Sequence, residues 1–450
     1  MNRLKPPAPR FDIVADLDTP VSAFLKLGPL KPRYLLESVE GGTHQARYSL
    51  IGFGEAETIV LRSTDPTPQG VVAWLREALG RAPVVQASPS PFSGGLVGFT
   101  SYDLVRRIVG LAPRPGEGLD AAYLAMRSTL VFDHVTRCMA LLHDGPEDEA
   151  RALRGEVERL LEGAVPKPRP LTAGPAQATL NQANFIDRVA TVKEHIREGD
   201  VFQCVLSLAM WGEAEGDAFS AYRALRRLNP SPYLYYVDVA GVQVVGSSPE
   251  ALVKLDGDQA TLRPIAGTRP RGSTMEDDLA LEADLLADAK EAAEHVMLVD
   301  LARNDLGRVA VPGTIRVAPS RSIERYSHVM HLVSGVQGTL EAPHDAFDLF
   351  ASAFPAGTVT GAPKVRAMQI IDELEPEPRG IYAGTVGYFG HHGQMDQAIA
   401  IRTLTFADGR YRYQAGAGIV ADSVPESEHA ECLAKAAALR TTLDQAGGPA

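Results

Sequence analysis

The order of strand-like and helical stretches constrains the fold of this 450-residue chain more than any other feature. Runs punctuated by glycine, which are typical of strands, follow one another near the C-terminus: GIYAGTVGYFG, QAIAIRTLTF and RYQAGAGIV. A helical stretch then starts near Pro425. Upstream, the pattern predicts a helix over Phe185–Ile196, strands over Val201–Met210, Tyr233–Asp238 and Val242–Ser248, and a long helix from about Glu276 to Leu301. This order shows neither repeating βα units nor a pure sheet, so we predict a sheet-rich α+β fold.

Two proline-rich stretches interrupt this pattern, at Arg81–Gly95 and at Gly163–Ala178. Proline fixes φ and removes a backbone donor, so such stretches connect elements rather than build them. The second stretch divides the chain. We predict an N-terminal region over 10–165, a linker over 166–178 and a C-terminal region over 179–445 that carries the main site.

Composition excludes several classes of protein. The net charge of −12 argues against a broad basic surface for nucleic acid. Three cysteines without a CxxC pair suggest neither a disulfide framework nor a zinc site. The first residues lack the apolar core of a signal peptide, and no apolar run is long enough to span a bilayer. We therefore expect a cytoplasmic protein.

Two Glu-x-x-Glu pairs are the strongest candidates for chemistry. Glu291 and Glu294 lie three residues apart, as do Glu428 and Glu431, and Lys435 follows the second pair. On a helix, this spacing places each pair on one face. Two such faces opposed to each other would repel unless a cation lay between them, and oxygen ligands alone suit Mg²⁺. Each pair could also be an ordinary solvated helix face.

Glycine-rich segments and isolated polar residues form a second group of candidates. Gly267, Gly357, Gly416 and Gly418 lie in segments where backbone N–H groups could approach a small anion, although turn chemistry alone explains any one of them. Three polar residues interrupt apolar stretches: Glu250, His331 and Arg402. Arg402 predicts either a bound carboxylate or a structural salt bridge. His331 could be a satisfied core histidine, and Glu250 either a turn cap or a buried proton donor.

Eight strings from this part of the chain, taken together, resemble the chorismate-binding enzyme family: LRPIAGTRPRG, AEHVMLVDLARNDLGRV, RYSHVMHLVS, AFPAGTVTGAPKVRAM, GIYAGTVGYFG, AIAIRT, QAGAGIV and the last Glu-x-x-Glu helix. The resemblance covers about Asn181 to Leu443, in the family's order and spacing. It implies two orthogonally packed antiparallel sheets flanked by helices, with the substrate at the heart of the C-terminal region.

The resemblance also implies a role for individual residues. It places Mg²⁺ at Glu294 and Glu431, with Glu291 and Glu428 close by. It implies that Glu250 is the general acid and that His331 and Thr358 line the same pocket with catalytic roles. The residues that it implies around the two carboxylates and the ring of chorismate are Gln203, Gly267, Thr268, Tyr382, Arg402, Gly416, Ala417, Gly418 and Lys435.

Two positions indicate which reaction of the family to expect. Relatives that use water place a lysine base where this chain has Gln203, and relatives that aminate C4 carry a nucleophilic lysine where it has Ala266. The resemblance therefore implies that ammonia attacks C2 directly and that pyruvate is then eliminated to give anthranilate. No glutaminase segment is visible, so we expect a separate glutamine amidotransferase subunit to deliver ammonia. A 4-aminating enzyme and a non-catalytic tryptophan-binding relative remain the alternatives.

A tryptophan site for feedback inhibition is implied by two further strings, LLES and NPSPY. Carried over, they place the effector against Glu37, Ser38, Pro232, Tyr233 and Leu234. One departure from the family is Leu208 and Ala209, which replace its usual polar and arginine residues.

Overall fold

The computed structural model describes residues 10–38, 47–85, 90–112, 114, 118–326 and 329–447. Within them lie the helices α1 (Pro20–Lys26), α2 (Val71–Arg81), α3 (Val105–Val109), α4 (Glu147–Leu161), α5 (Gln182–Arg197), α6 (Ala218–Leu228), α7 (Met275–Ala287), α8 (Ala289–Gly307), α9 (Ala346–Ala353), α10 (Lys364–Leu374) and α11 (Pro425–Ala446). No helix of this described part is long and apolar enough to cross a membrane.

The strands of the described residues all pair antiparallel. They are β1 (Ile13–Val14), β2 (Pro32–Glu37), β3 (Tyr48–Arg62), β4 (Gly95–Thr100), β5 (Leu119–Asp133), β6 (Cys138–His143), β7 (Leu171–Ala173), β8 (Gln177–Ala178), β9 (Gln203–Gly216), β10 (Tyr233–Val239), β11 (Val242–Ser248), β12 (Ala251–Asp256), β13 (Gln259–Leu262), β14 (Ile265–Pro270), β15 (Arg316–Val317), β16 (Ser322–Arg325), β17 (Val329–Val333), β18 (Val336–Thr339), β19 (Gly361–Ala362), β20 (Thr385–Gly390), β21 (Met395–Ile399), β22 (Thr403–Ala407) and β23 (Arg410–Ile419). Helices and antiparallel strands thus form the predicted α+β fold.

Two rows of strands extend from the long strand β5. The first row runs through β3, β2, β10, β11, β22 and β23 to β9. The second runs through β4, β20, β21, β12, β13 and β18 to β15. In each row, strands from the N-terminal part of the chain are thus followed by strands from its later part, within one hydrogen-bonded sheet. A smaller sheet consists of β14, β17 and β16.

The chain crosses between the two rows at two points that matter for the site. Glu250 lies between β11 of the first row and β12 of the second, and Arg402 lies between β21 of the second row and β22 of the first. Phe347 and Phe350 of α9 pack against Phe389 of β20. They belong to the apolar cluster that also contains Leu252 of β12 and Ile399 of β21, next to the crossings. Both crossings therefore place a polar side chain inside the protein.

Three local expectations differ from the structure. The single helix expected from Glu276 to Leu301 is two helices, because Asp288 takes extended backbone angles and its carboxylate caps α8 at the N–H groups of Lys290 and Glu291. Arg402 does not continue a strand, since its φ of 50° is left-handed. The GIYAGTVGYFG strand starts only at Thr385.

The boundary over 166–178 stays a prediction. That stretch contains β7 and β8, which pair with β9.

Candidate active site

A cavity of about 300 Å³ is lined by β9 and β23 of the first row, by β14 and β17 of the small sheet, by helices α8 and α11 and by the two crossings. A volume of this size suits a small organic ligand. Most of the residues that the sequence predicts for the substrate, the metal and catalysis line it: Gln203, Glu250, Gly267, Thr268, Glu294, His331, Thr358, Tyr382, Arg402, Gly416, Gly418 and Lys435. Residues up to 232 positions apart in sequence thus meet in one cavity.

Glu250 is a buried carboxyl in the wall of this cavity. Its backbone is fixed by the Ser248 hydroxyl, which accepts from the Glu250 N–H at 3.3 Å, and by Ile399, whose N–H donates to the Glu250 carbonyl at 3.0 Å. Burial raises the pKa of Glu250 to about 8, against the smaller, opposite effect of the nearby Thr358 hydroxyl. At neutral pH the side chain therefore carries a proton that it can give to a ligand.

Arg402 supplies a cation to the cavity without an internal counter-charge. Its guanidinium donates to the Asn229 side-chain oxygen at 3.3 Å, and no carboxylate of the described residues forms an ion pair with it. Burial lowers the pKa of Arg402. The structural salt bridge considered from sequence is therefore not formed within that part of the chain. A ligand carboxylate would supply the missing anion.

His331 lies on the opposite wall, on the small sheet. Its Nδ1 is 3.0 Å from the Thr268 hydroxyl and 3.1 Å from the Gly267 carbonyl oxygen. Since a carbonyl only accepts, Nδ1 carries the proton in this arrangement, and Nε2 is left as an acceptor. Burial lowers the pKa of His331, which favours this neutral form.

Strand β23 brings two glycines to the cavity at alternate positions. A Cβ on Gly416 would lie 2.7 Å from the Tyr382 hydroxyl, and a Cβ on Gly418 would lie 2.6 Å from Nε2 of Gln203. The side chain of Ala417, between them, is fully buried in a different apolar cluster and does not line the cavity. The glycines therefore leave room for Tyr382 and Gln203 to line the cavity.

The predicted metal ligands lie on two helices. Glu291 and Glu294 are on α8 and Glu428 and Glu431 are on α11. Burial and the neighbouring charge of Glu294 raise the pKa of Glu291, which shows that the carboxylates on this face of α8 repel each other. A hard divalent cation would relieve that repulsion, and the donor set of carboxylate oxygens suits Mg²⁺.

The contacts of these carboxylates are with other side chains of the protein. Glu294 accepts from Gln203 at 3.3 Å, and Glu431 pairs with Lys435 at 2.6 Å. Lys435 also donates to the Gly416 carbonyl at 3.0 Å. Across the described ranges, the cluster of three potential ligands with atoms within 4.8 Å of one another is His195, Glu198 and Asp200, and none of the four predicted glutamates belongs to it.

The residues expected to contact an effector lie at the pairing of β2 with β10, where Glu37 is opposite Leu234. The Glu37 carboxylate is buried and accepts from Arg226 at 2.8 Å and from Tyr222. Burial and the Asp396 carboxylate raise the pKa of Tyr233 far above its usual range. Pro232 is buried at the start of β10, and Ser38 directly follows β2. The strands thus bring the two predicted strings together.

Sequence reasoning missed two features of the site. Gln414 lines the cavity, and its position two residues before Gly416 on β23 could have indicated this through the two-residue period of a strand. The second is a buried ion pair in which Arg379 donates to Glu375 at 2.7 Å and 2.8 Å. Arg379 also donates to the carbonyls of Val359 and Val205, two residues of the cavity wall.

Comparison with known proteins assigns the chain to one family. The sequence matches the chorismate binding enzyme family over residues 31–441. Since this match spans most of the chain, the protein belongs to the chorismate binding enzyme family.

Similar curated proteins narrow the comparison. The chain is 45% identical to anthranilate synthase component 1 from Thermus thermophilus, covering 99% of both chains. It is also 45% identical to anthranilate synthase component 1 from Acinetobacter calcoaceticus, covering 95% of this chain and 93% of that protein.

Solved structures agree with this placement. The crystal structure of anthranilate synthase component I from Streptococcus pneumoniae is similar with a TM-score of 0.76 and 36% identity, covering 89% of this chain and 94% of that one. The menaquinone-specific isochorismate synthase from Escherichia coli is similar in fold, with a TM-score of 0.73 and 22% identity over 98% of this chain and 95% of that one.

Proposed function

We propose that this chain is the chorismate-binding component of an anthranilate synthase, which converts chorismate and ammonia to anthranilate and pyruvate. The observation that carries the proposal is the cavity, in which a protonated Glu250 and an Arg402 without an internal counter-charge face the same space. Chorismate is a dianion with a hydroxyl leaving group, so it needs both groups. The relatives named anthranilate synthase component 1 also match this chain over nearly its whole length.

The first half of the reaction needs an acid but no strong base. Ammonia attacks C2 with its free electron pair while Glu250 gives its proton to the departing 4-hydroxyl, which leaves as water. Gln203 and Ala266, both in the cavity wall, cannot take a proton from water or attack C2 themselves. This combination favours direct amination over hydration or 4-amination.

The second half removes a proton from C2 and expels the enolpyruvyl group as pyruvate. His331 has the form that this step needs, because its Nδ1 is held by the Gly267 carbonyl and its Nε2 can accept a proton. The same ring cannot act once it is protonated, so the lowered pKa supports this role.

Mg²⁺ belongs to the same proposal, with Glu294 and Glu431 as ligands and Glu291 and Glu428 beside them. Bound there, the cation would neutralise a carboxylate of chorismate. A thermal unfolding series with Mg²⁺ tests this apart from activity. We expect Mg²⁺ to raise Tm of the wild type and to have little effect on Glu294→Gln. Glu162→Gln is the control and should behave as the wild type, because Glu162 is exposed after α4 and lies outside both the cavity and the cluster of His195, Glu198 and Asp200.

A partner and an effector complete the proposal. The names of the relatives include component 1, which implies a second component, and we propose a glutamine amidotransferase that supplies ammonia.

Tryptophan is the proposed inhibitor at the pairing of β2 with β10. Calorimetry with tryptophan on the wild type and on Ser38→Ala tests this statement, and no heat of binding to the wild type would refute it.

The decisive experiment follows anthranilate fluorescence while the purified chain is given chorismate, ammonium chloride and Mg²⁺ at mildly alkaline pH. A rise that EDTA abolishes supports the reaction and the metal together. A 4-amino product would refute the argument from Ala266. Untouched chorismate, with the amidotransferase component also present, would refute the catalytic proposal and favour a non-catalytic role.

A further inference from the structure

A second, smaller cavity of about 40 Å³ lies behind Glu250. Glu250 and Thr358 line both cavities, whereas Asp305 of α8 lines only the smaller one. Glu250 and Thr358 therefore stand between the two cavities. Glu250, Gly357 and Thr358 are the residues of this second cavity that the sequence analysis names as candidates, and Asp305 is not among them.

Asp305 is half of a buried ion pair. Lys364 donates to its Oδ2 at 2.7 Å and to the Ala353 carbonyl at 3.0 Å. The two side chains are only 5% and 10% exposed. The other carboxylate oxygen of Asp305, Oδ1, has no hydrogen-bond partner among the described residues. The Thr358 hydroxyl lies close enough to Glu250 to lower the pKa of that carboxyl, but it makes no hydrogen bond of good geometry with any described residue.

Buried polar atoms without partners are costly, and most of them in native proteins bind an ordered water. The small cavity is large enough for this, since a water needs about 10–15 Å³ of such volume. A buried water typically makes about three hydrogen bonds. Asp305, Thr358 and Glu250 offer that number of partners around one cavity.

We propose that Asp305 holds an ordered water in the small cavity and that this water positions Glu250 for proton transfer. The water donates one hydrogen to Oδ1 of Asp305 and the other to the Glu250 carboxyl, and it accepts from the Thr358 hydroxyl. When Glu250 gives its proton to the leaving group, the water stabilises the carboxylate that remains. Asp305 is thus a positioning residue that acts through the water, and its role rests on the proposed function of Glu250 as the acid.

Other titratable groups line the same cavities as Glu250 and contribute to the electrostatic field around it. They are Arg263 in the small cavity and Glu294, His331, Tyr382, Arg402 and Lys435 in the large one. Arg263 is paired with Glu324. Lys364 lines neither cavity. Variants at Asp305 and Lys364 therefore change the proposed water without removing a group that faces the substrate.

Two double variants separate the water from the ion pair. Asp305→Asn with Lys364→Met removes both charges but keeps a side-chain oxygen that can accept from the water. Asp305→Leu with Lys364→Met removes both charges and the acceptor. Replacing a buried ion pair by uncharged residues is often tolerated by the fold. The two variants differ at one side chain, which is a polar amide with an acceptor oxygen in the first and an apolar group in the second.

The measurement is kcat as a function of pH. Its alkaline limb is the range in which kcat falls because Glu250 loses its proton. We expect the Asn variant to keep this limb near that of the wild type. In the Leu variant the Glu250 carboxylate loses a donor, so the limb moves to higher pH and kcat falls about tenfold or more, while KM for chorismate changes little. Coincident limbs and equal kcat values in the two variants would overturn the proposal.

Two controls keep this test independent of folding and of the assigned reaction. The pair Lys26–Asp18 is similarly buried and lines neither cavity, so Lys26→Met with Asp18→Leu measures the cost of losing an ion pair alone. Infrared titration of the Glu250 carboxyl, with Glu250→Gln as the blank, reports the same shift without turnover. If chorismate is not converted at all, the proposed function fails, while the infrared shift and a high-resolution crystal structure still test for the water.

Discussion

Glu250 decides the pH range in which the protein can work as proposed, because an acid must hold its proton to give it away. Activity should fall as pH rises through about 8, the raised pKa of this residue. We expect Glu250→Gln to lower kcat by about 10²- to 10⁴-fold with a smaller change in KM. Steady-state rates with free ammonia kept saturating at each pH check this. Retention of most activity would exclude Glu250 as the acid.

The stability of the same variant supplies an independent check. The ordinary pKa of a glutamate is 4.5 and that of Glu250 in the folded protein is about 8. Below the first value the acid is protonated in both states, and between the two values the wild type loses stability as pH rises, by up to about 1.4 kcal/mol per pH unit. The free energy of unfolding of Glu250→Gln should fall less over this range.

Arg402 adds little to the stability of the folded protein, and we expect it to contribute mainly to binding chorismate. Its partly buried guanidinium has an amide partner, Asn229, but no ion pair among the described residues, so the ligand-free protein gains little from the charge. We expect Arg402→Met to raise KM for chorismate by about 100-fold while Tm stays the same or rises. Kinetics and thermal unfolding together measure both effects.

Arg379 is the contrasting case and serves as the control for Arg402. Removing Arg379 leaves Glu375 buried without its partner, so Arg379→Met should lower the free energy of unfolding by about 3–5 kcal/mol. Equal effects of the two substitutions on Tm would contradict this distinction between a ligand-binding and a structural arginine.

Strand β23 shows how one element shapes the cavity. A methyl group on Gly416 would meet the rigid Tyr382 ring at its hydroxyl and the Leu206 carbonyl at 2.8 Å, whereas one on Gly418 would meet only the flexible Gln203 side chain. We therefore expect Gly416→Ala to lower both Tm and kcat/KM more than Gly418→Ala does. Thermal unfolding and initial rates of the two matched variants measure the order, and a reversed order would exclude this steric account.

Helices and strands could be predicted from sequence where the spacing of apolar residues and the turn residues beside them indicate one structure. The helix α5, the strands β10 and β11 and the last helix α11 follow from periodicity and turn residues. The predicted cavity residues came from strings of sequence, and the pairing of strands then brought them together. Asp305 and Lys364 are 59 residues apart, and a contact of this kind leaves no periodic signal. The left-handed backbone of Arg402 is likewise set by the crossing between rows rather than by its neighbours.

At the scale of the whole molecule, the N-terminal and C-terminal regions are parts of one sheet. Strand β10 pairs with β2, and β20 pairs with β4, so each row contains a junction between the two regions. A fragment over 179–447 would expose the edges of β10 and β20, including the buried side chains of Val386 and Tyr235. Unpaired strands with apolar side chains favour aggregation.

We therefore expect the fragment over 179–447 to be insoluble or to lack cooperative unfolding, although it carries every predicted substrate and metal residue. Co-expression with a fragment over 1–178 should restore a soluble complex, because the missing strands are then supplied in trans. Size-exclusion chromatography and thermal unfolding of the fragment alone and of the pair measure this. A fragment that unfolds cooperatively on its own would show that the predicted boundary at 166–178 separates independent domains despite the shared sheet.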